Sequence, residues 1–205
     1  MAVADSIKFD VYFDYQCPFV FRFAGLLDSV RRSGREVDVG WRYFSLTQVN
    51  SKNDGWTVWD APASEKVRGR LAFQAAEAAR RQGRFAAFHR PLLLARHRDR
   101  LAVDERSVVE EVAEAAGLDM GRFREDVADP SILQGLARDH TGGVALHGVF
   151  GTPTLVFADG ASAYVRLADP VDGDAATRVF DRLVTVAAAE PAILEIKRPR
   201  RPSQE

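Results

Sequence analysis

Three changes of periodicity divide the chain. Ile7, Phe9, Val11 and Phe13 alternate with Lys8, Asp10, Tyr12 and Asp14, a two-residue period that predicts a strand. Phe19, Phe23, Leu26, Leu27 and Val30 then recur at helical spacing; Pro18 opens that helix, and Arg31-Arg32-Ser33-Gly34 suits its C-terminus. Val37, Val39, Trp41 and Tyr43 alternate again. This opening stretch reads as a β-α-β unit, with parallel strands joined by a right-handed crossover.

From Ser45 to Ala61 no period holds, and the segment carries Asn50, Asn53, Gly55, Trp56 and Trp59. Loops longer than about 12–15 residues without structure of their own are uncommon and are often functional lids. Residues 63 to about 146 read as almost wholly helical, punctuated by Pro91, Gly117-Leu118-Asp119, Asp129-Pro130 and Gly142-Gly143, with Asp104 and Asp119 as N-caps. Strand character returns in Pro153–Phe157. After the turn Asp159-Gly160, the alternating Ala163, Val165 and Leu167 predict a hairpin partner. A last helix, about Gly173 to Ala188, buries Ala176, Val179, Phe180, Leu183 and Val186. The basic tail 191–205 is expected to lack regular structure.

Composition changes this picture little: 46% hydrophobic and 28% charged residues are ordinary for a globular protein. One domain with a substantial insertion fits 205 residues. The net charge of −1 hides an asymmetry. Residues 66–100 carry Lys66 and nine arginines against Glu77 and Asp99, a balance of +8, and residues 104–129 carry nine acids against three arginines, a balance of −6. Such neighbours predict helices that pack with solvated, mutually attractive faces. No nucleic-acid motif accompanies the basic stretch, and no run approaches a membrane span. Met1–Ser6 has neither a basic start nor an apolar stretch, so no secretory signal is expected. With one cysteine there is no internal disulfide, and a cytoplasmic, reducing location is expected.

That cysteine, Cys17, falls where the first strand gives way to the proline-opened helix. Unpaired N–H groups at a helix start carry partial positive charge and stabilise a thiolate placed there. Val20 stands three residues later, where a C-x-x-C motif would carry its second thiol.

Strand, helix, strand, helical block, hairpin and final helix is the element order of an α/β thioredoxin fold with a large helical insertion between its halves. The expected division is 1–61 with 147–190 as the thioredoxin-like domain and 62–146 as the insertion. Phe13-Asp14-Tyr15-Gln16-Cys17-Pro18-Phe19-Val20 resembles the active-site segment of the DsbA family, and His147-Gly148-Val149-Phe150-Gly151-Thr152-Pro153-Thr154 resembles its cis-proline loop. The resemblance covers about residues 6–188 and is nearest to the FrnE-like branch. That branch is similar to 2-hydroxychromene-2-carboxylate isomerases and kappa-class glutathione transferases.

The resemblance implies that Cys17 and Pro18 face Thr152 and a cis Pro153, with the main chain of Thr152 pairing with substrate. A cis X-Pro bond costs only about 0.5–1 kcal/mol and is usually kept for a purpose. Tyr15, Phe19, Trp56 and Trp59 are candidates to line an apolar pocket for an aromatic substrate, with Val20 and Gly151 beside them. Asp14 reads as a carboxylate that influences the thiol's protonation from its strand end or, more commonly for such a position, as an exposed strand-end carboxylate, and Arg42 as a solvated strand arginine or a carboxylate ligand. The spacing of His89, His97, His140 and His147 matches no zinc motif, so no metal is expected; His147 is the one histidine near the proline loop.

Three functions stay open at this point. The first is a thiol–disulfide oxidoreductase working with one cysteine, an external thiol such as glutathione or mycothiol resolving the adduct formed with a small or protein disulfide. The second is a glutathione- or mycothiol-dependent isomerase or transferase, in which Cys17 orients a bound thiol. The third is a non-catalytic binding module. No tightly bound cofactor is expected, and the protein is a monomer or a homodimer.

Overall fold

The computed structural model describes residues 7–198. The termini 1–6 and 199–205 lie outside the described residues, including the last part of the expected tail. The part of the tail that is described, 191–198, has a turn and otherwise no regular structure.

The opening unit has the expected bounds: β1 (Ile7–Phe13), α1 (Pro18–Arg32) and β2 (Val37–Tyr43). A single turn, α2 (Leu46–Val49), follows at once. Then come α3 (Arg70–Arg81), α4 (Phe85–His97), α5 (Arg106–Ala115), α6 (Met120–Ala128) and α7 (Leu133–His147), with a 3-10 turn before α7. The hairpin β3 (Thr154–Phe157) and β4 (Ser162–Tyr164) leads to α8 (Gly173–Ala189). The strands form one sheet in the order β2-β1-β3-β4. β1 pairs in parallel with β2, Val11 opposite Trp41, and antiparallel with β3, Val11 opposite Leu155.

Two apolar clusters account for the layers. On one face of the sheet, Phe9, Val11, Leu155 and Phe157 pack against Phe23, Leu26, Leu27 and Val30 of α1 and against Ala176 and Phe180 of α8. Fully burying a side chain of this size contributes about 1.5–3 kcal/mol. The second cluster joins Phe13, Tyr15, Cys17 and Val20 to Phe73, Phe88, Leu92 and Leu93 of the helical block. The cysteine segment therefore shares its core with the inserted helices.

The other face of β1 is also covered. Tyr12 is buried among Phe44, Val149 and Val156, so the expected polar side of the strand is covered at this end, while Lys8 stays exposed. α7 approaches there at Gly143, where an added Cβ would lie 2.5 Å from the Tyr12 ring.

The helical block departs from expectation in two places. Helix begins at Arg70 and not at 63, because the buried Arg70 guanidinium donates to the carbonyls of Ala61, Pro62 and Glu65 and holds that stretch in turns. Pro91 does not end a helix; it lies on the exposed side of α4, where the carbonyl it frees meets solvent. The oppositely charged segments do meet, through Arg81 at 3.0 Å from Asp126 and 2.9 Å from Asp129. Other arginines of the basic stretch turn elsewhere, Arg90 to Asp28, and Arg68 and Arg96 to Gln16.

Candidate active site

Cys17 is the N-cap residue of α1, with Pro18 at the first helical position and no acidic residue in the first turn. Its amide donates to Asp14 O at 3.1 Å, and its carbonyl accepts from Phe21 N at 3.4 Å. The Thr152–Pro153 bond is cis. Cys17 Sγ donates to the Thr152 carbonyl at 3.2 Å, which brings together residues from the first and last thirds of the chain. Thr152 Oγ1 is buried beside this contact and makes no hydrogen bond among the described residues. The cysteine residue is only 4% exposed, so a reacting disulfide has to enter the cleft above it.

That cleft, of about 340 Å³, is bounded by Cys17, Pro18 and Phe19 on one side and by Phe150, Gly151 and Thr152 on the other. Tyr164 and Arg166 of the hairpin and Leu46, Val49 and Asn50 of the α2 segment complete it. Phe150 is 65% exposed and presents an apolar edge. The guanidinium carbons of Arg166 and Arg22 lie 4.1 and 5.4 Å from the centre of the Phe19 ring, bringing positive charge to the rim. Burial is the main cause that raises the Tyr164 hydroxyl above its usual range, with Arg166 opposing.

The loop before Cys17 is held from beneath. Asp14 is buried, not exposed as the strand alternation suggests, because its carboxylate accepts from Gln16 N at 2.8 Å and from Leu46 N at 2.7 Å. It thereby ties the cysteine loop to the start of α2. Burial pushes this carboxyl up to about 6, outweighing the two backbone donors that favour its charged form. Gln16 Nε2 donates to Asp104 at 3.3 Å, and its side-chain carbonyl accepts from Arg96 at 3.1 Å and Arg68 at 3.3 Å. Asp104 is therefore not the N-cap the sequence suggests; its other oxygen accepts from Gly69 N at 2.8 Å, and Glu105 is the N-cap residue of α5.

Three of the expected substrate-binding residues are elsewhere. Tyr15 is fully buried: its hydroxyl lies 2.9 Å from His89 Nδ1, and its carbonyl accepts from His97 Nε2 at 2.9 Å. It anchors the loop to α4. Burial lowers His89 to about 3, so the ring stays neutral. Val20 is 0% exposed and fills the core under Cys17 with methyl groups. Trp59 lines neither cleft and packs its ring 5.4 Å from that of His140.

Trp56 lines a second cleft of about 490 Å³, with Asn50, Asn53, Glu65 and Arg68 among its neighbours, so its surroundings are polar and not the apolar pocket expected. The two clefts share Gln16, Leu46 and Asn50. Arg42 pairs with Asp10 at 2.8 Å, and His147 packs against Tyr12, both away from the sulfur.

Gln16, Phe150, Tyr164 and Arg166 join the site without having been expected there, as does Asp14 in its buried role. Only Tyr164 and Arg166 had a signal, since alternation along the hairpin puts residues 164 and 166 on one side.

The model of the DSBA-like thioredoxin domain matches residues 8–175. The chain belongs to this family. An uncharacterized protein of Mycobacterium tuberculosis is 29% identical over 199 residues, 95% of this chain and 83% of that protein. Among solved structures, a probable DsbA oxidoreductase from Streptomyces coelicolor superposes with a TM-score of 0.61 at 21% identity, covering 94% of each chain. A thioredoxin-like oxidoreductase from Silicibacter pomeroyi gives 0.55 at 21% identity, covering 86% of this chain and 85% of its own. These likenesses agree with the thioredoxin-like DsbA fold. Among the described residues, no helix of this DsbA-like protein is long and apolar enough to cross a membrane.

Proposed function

We propose that this DsbA-like protein is a monothiol disulfide-exchange enzyme that uses an external low-molecular-weight thiol to complete its cycle. The observation that carries this reading is the meeting of Cys17 Sγ and the Thr152 carbonyl at 3.2 Å, with buried Val20 in place of a second thiol. The Cys17 thiolate attacks one sulfur of a substrate disulfide R–S–S–R′. A bond forms between Cys17 and SR, and R′S⁻ leaves. A second thiolate, R″S⁻, then attacks the SR sulfur, giving R–S–S–R″ and restoring the Cys17 thiolate. Each step exchanges one S–S bond for another, so electrons balance without a cofactor.

The protein contributes positioning. The sulfur sits at the N-cap of α1, the positive end of the helix, the Arg22 and Arg166 side chains hold positive charge at the rim, and the Thr152 carbonyl marks the line along which a substrate backbone meets the cysteine. A cytoplasmic pool of reduced thiol would supply the resolving partner.

The Cys17–Thr152 hydrogen bond also favours one second reading, in which the S–H orients a bound thiol for isomerisation or transfer without becoming covalent. Steady-state reduction of a small disulfide in the presence of a thiol separates the two. Exchange requires that Cys17→Ala and Cys17→Ser both abolish turnover; retention of turnover in Cys17→Ser would favour the orienting role. Absence of turnover in the wild type with every disulfide and thiol tried would leave neither.

A further inference from the structure

The second cleft opens beside the cysteine cleft, and its chemistry is different. Trp56 is half-buried and held in place at three points: its amide donates to Asn53 O at 3.3 Å, its carbonyl accepts from Gln48 Nε2 at 3.2 Å, and its indole N–H reaches Glu65 at 3.4 Å. An aromatic plane fixed in this way is a platform and not a mobile surface residue. Around it stand neutral polar groups. The Asn53 side-chain amide and the Ser51 hydroxyl proton make no hydrogen bond among the described residues, and the Asn50 side-chain amide uses only its NH₂ group, toward Leu46 O. Donors and acceptors are thus both on offer.

Formal charge in the cleft cancels, because Glu65 is balanced by Arg68, whose Nε is already given to Gln16. A thiol tripeptide brings two carboxylates and an ammonium, and the cleft has one partly committed guanidinium to meet them. A saturated ring bearing hydroxyls matches better: its C–H face lies on the indole, and its hydroxyls pair with amide, hydroxyl and carboxylate groups at the edge. The volume of about 490 Å³ is within the usual range of about 300–1,000 Å³ for small-molecule sites. Because Gln16, Leu46 and Asn50 belong to both clefts, a ligand lying on Trp56 extends toward Cys17.

We propose that the Trp56 cleft binds the carrier of the resolving thiol and that this carrier is a neutral, hydroxyl-rich ring of the sugar or cyclitol class. The proposal rests on the exchange reading for its catalytic meaning, but the binding itself does not require Cys17 to react.

Two measurements separate the claims. In the first, S-methyl cysteinyl-glucosamine and S-methyl glutathione are titrated calorimetrically into the wild type. The sugar conjugate is expected to bind on the order of tenfold tighter, a difference of about 1.4 kcal/mol, and Trp56→Ala and Asn53→Ala are expected to remove most of that preference. Asn53→Ala keeps the backbone carbonyl that holds Trp56, so it tests the cleft without disturbing the platform. In the second, a preformed mixed disulfide on Cys17 is released by cysteinyl-glucosamine, glutathione or free cysteine. The ratio of the sugar-conjugate rate to the cysteine rate is expected to exceed about tenfold and to fall toward one in both variants. Equal or tighter binding of the S-methyl glutathione overturns the proposal. Binding preference without any release by thiols leaves the cleft assignment standing and sinks the exchange reading.

Discussion

Replacing Asp14 by asparagine tests whether the cysteine loop is held by a buried, titrating carboxyl. Asp14 is 1% exposed and has no cationic partner in direct contact among the described residues; its oxygens face the amides of Gln16 and Leu46. Desolvation, the largest influence, raises it from 3.8 to about 6. A folded-state value above the unfolded one means that the protonated form is favoured by folding. The associated stability is fully present below pH 3.8, and it is lost as the pH rises through about 6.

The whole span corresponds to about 3 kcal/mol, of which about 1 kcal/mol is regained on going from pH 8 to pH 5. Asparagine does not titrate, and it also exchanges one acceptor for a donor, which adds an offset independent of pH. The informative quantity is therefore the difference in unfolding free energy between wild type and Asp14→Asn, measured by urea denaturation at pH 5, 6, 7 and 8. Asp104 and Asp139, also raised by burial, titrate in both proteins and largely cancel. The wild type should gain about 1 kcal/mol on the variant by pH 5. Parallel pH profiles, with the difference constant within about 0.5 kcal/mol, would show that the carboxyl titrates like an exposed one and that burial does not raise it.

Two further outcomes follow from the same geometry. Val20→Cys places a thiol three residues after Cys17 in the buried position under it; a mixed disulfide on Cys17 should then be released without added thiol, with intact mass showing an internal disulfide. Tyr15→Phe removes the hydroxyl that meets His89 and leaves a buried ring nitrogen unpaired, so it should cost about 1–3 kcal/mol in urea unfolding. A loss below about 0.5 kcal/mol would show that this contact does not anchor the loop.

Much of the framework is legible in the amino-acid sequence because local period and packing partner agree there. Most of the alternating apolar positions of β1 and most of the apolar stripe of α1 meet in one cluster, so local period and burial coincide there. The pairing of Cys17 with Thr152 and Pro153 is legible too, through the likeness of both segments to one family. What is not legible depends on covering by distant chain. Asp14 continues the polar side of β1, but the amide of Leu46 closes over it. Tyr15 leaves the strand period and enters the core of the helical block, where His89 and Phe73 meet it. Trp56 lies in an irregular segment, and no period says whether its neighbours are apolar or polar. Asp104 has the residue type of an N-cap and is recruited by the Gly69 amide and Gln16.

In the proposed cycle Cys17 attacks a disulfide, and release of the adduct requires sulfur from outside the chain. Time-resolved intact mass spectrometry after mixing the reduced protein with a small disulfide addresses it directly. An adduct of one substrate half on Cys17 should accumulate, persist without thiol, and disappear when a reduced thiol is added. Failure to form an adduct, or its loss at the same rate with and without thiol, would contradict this cycle.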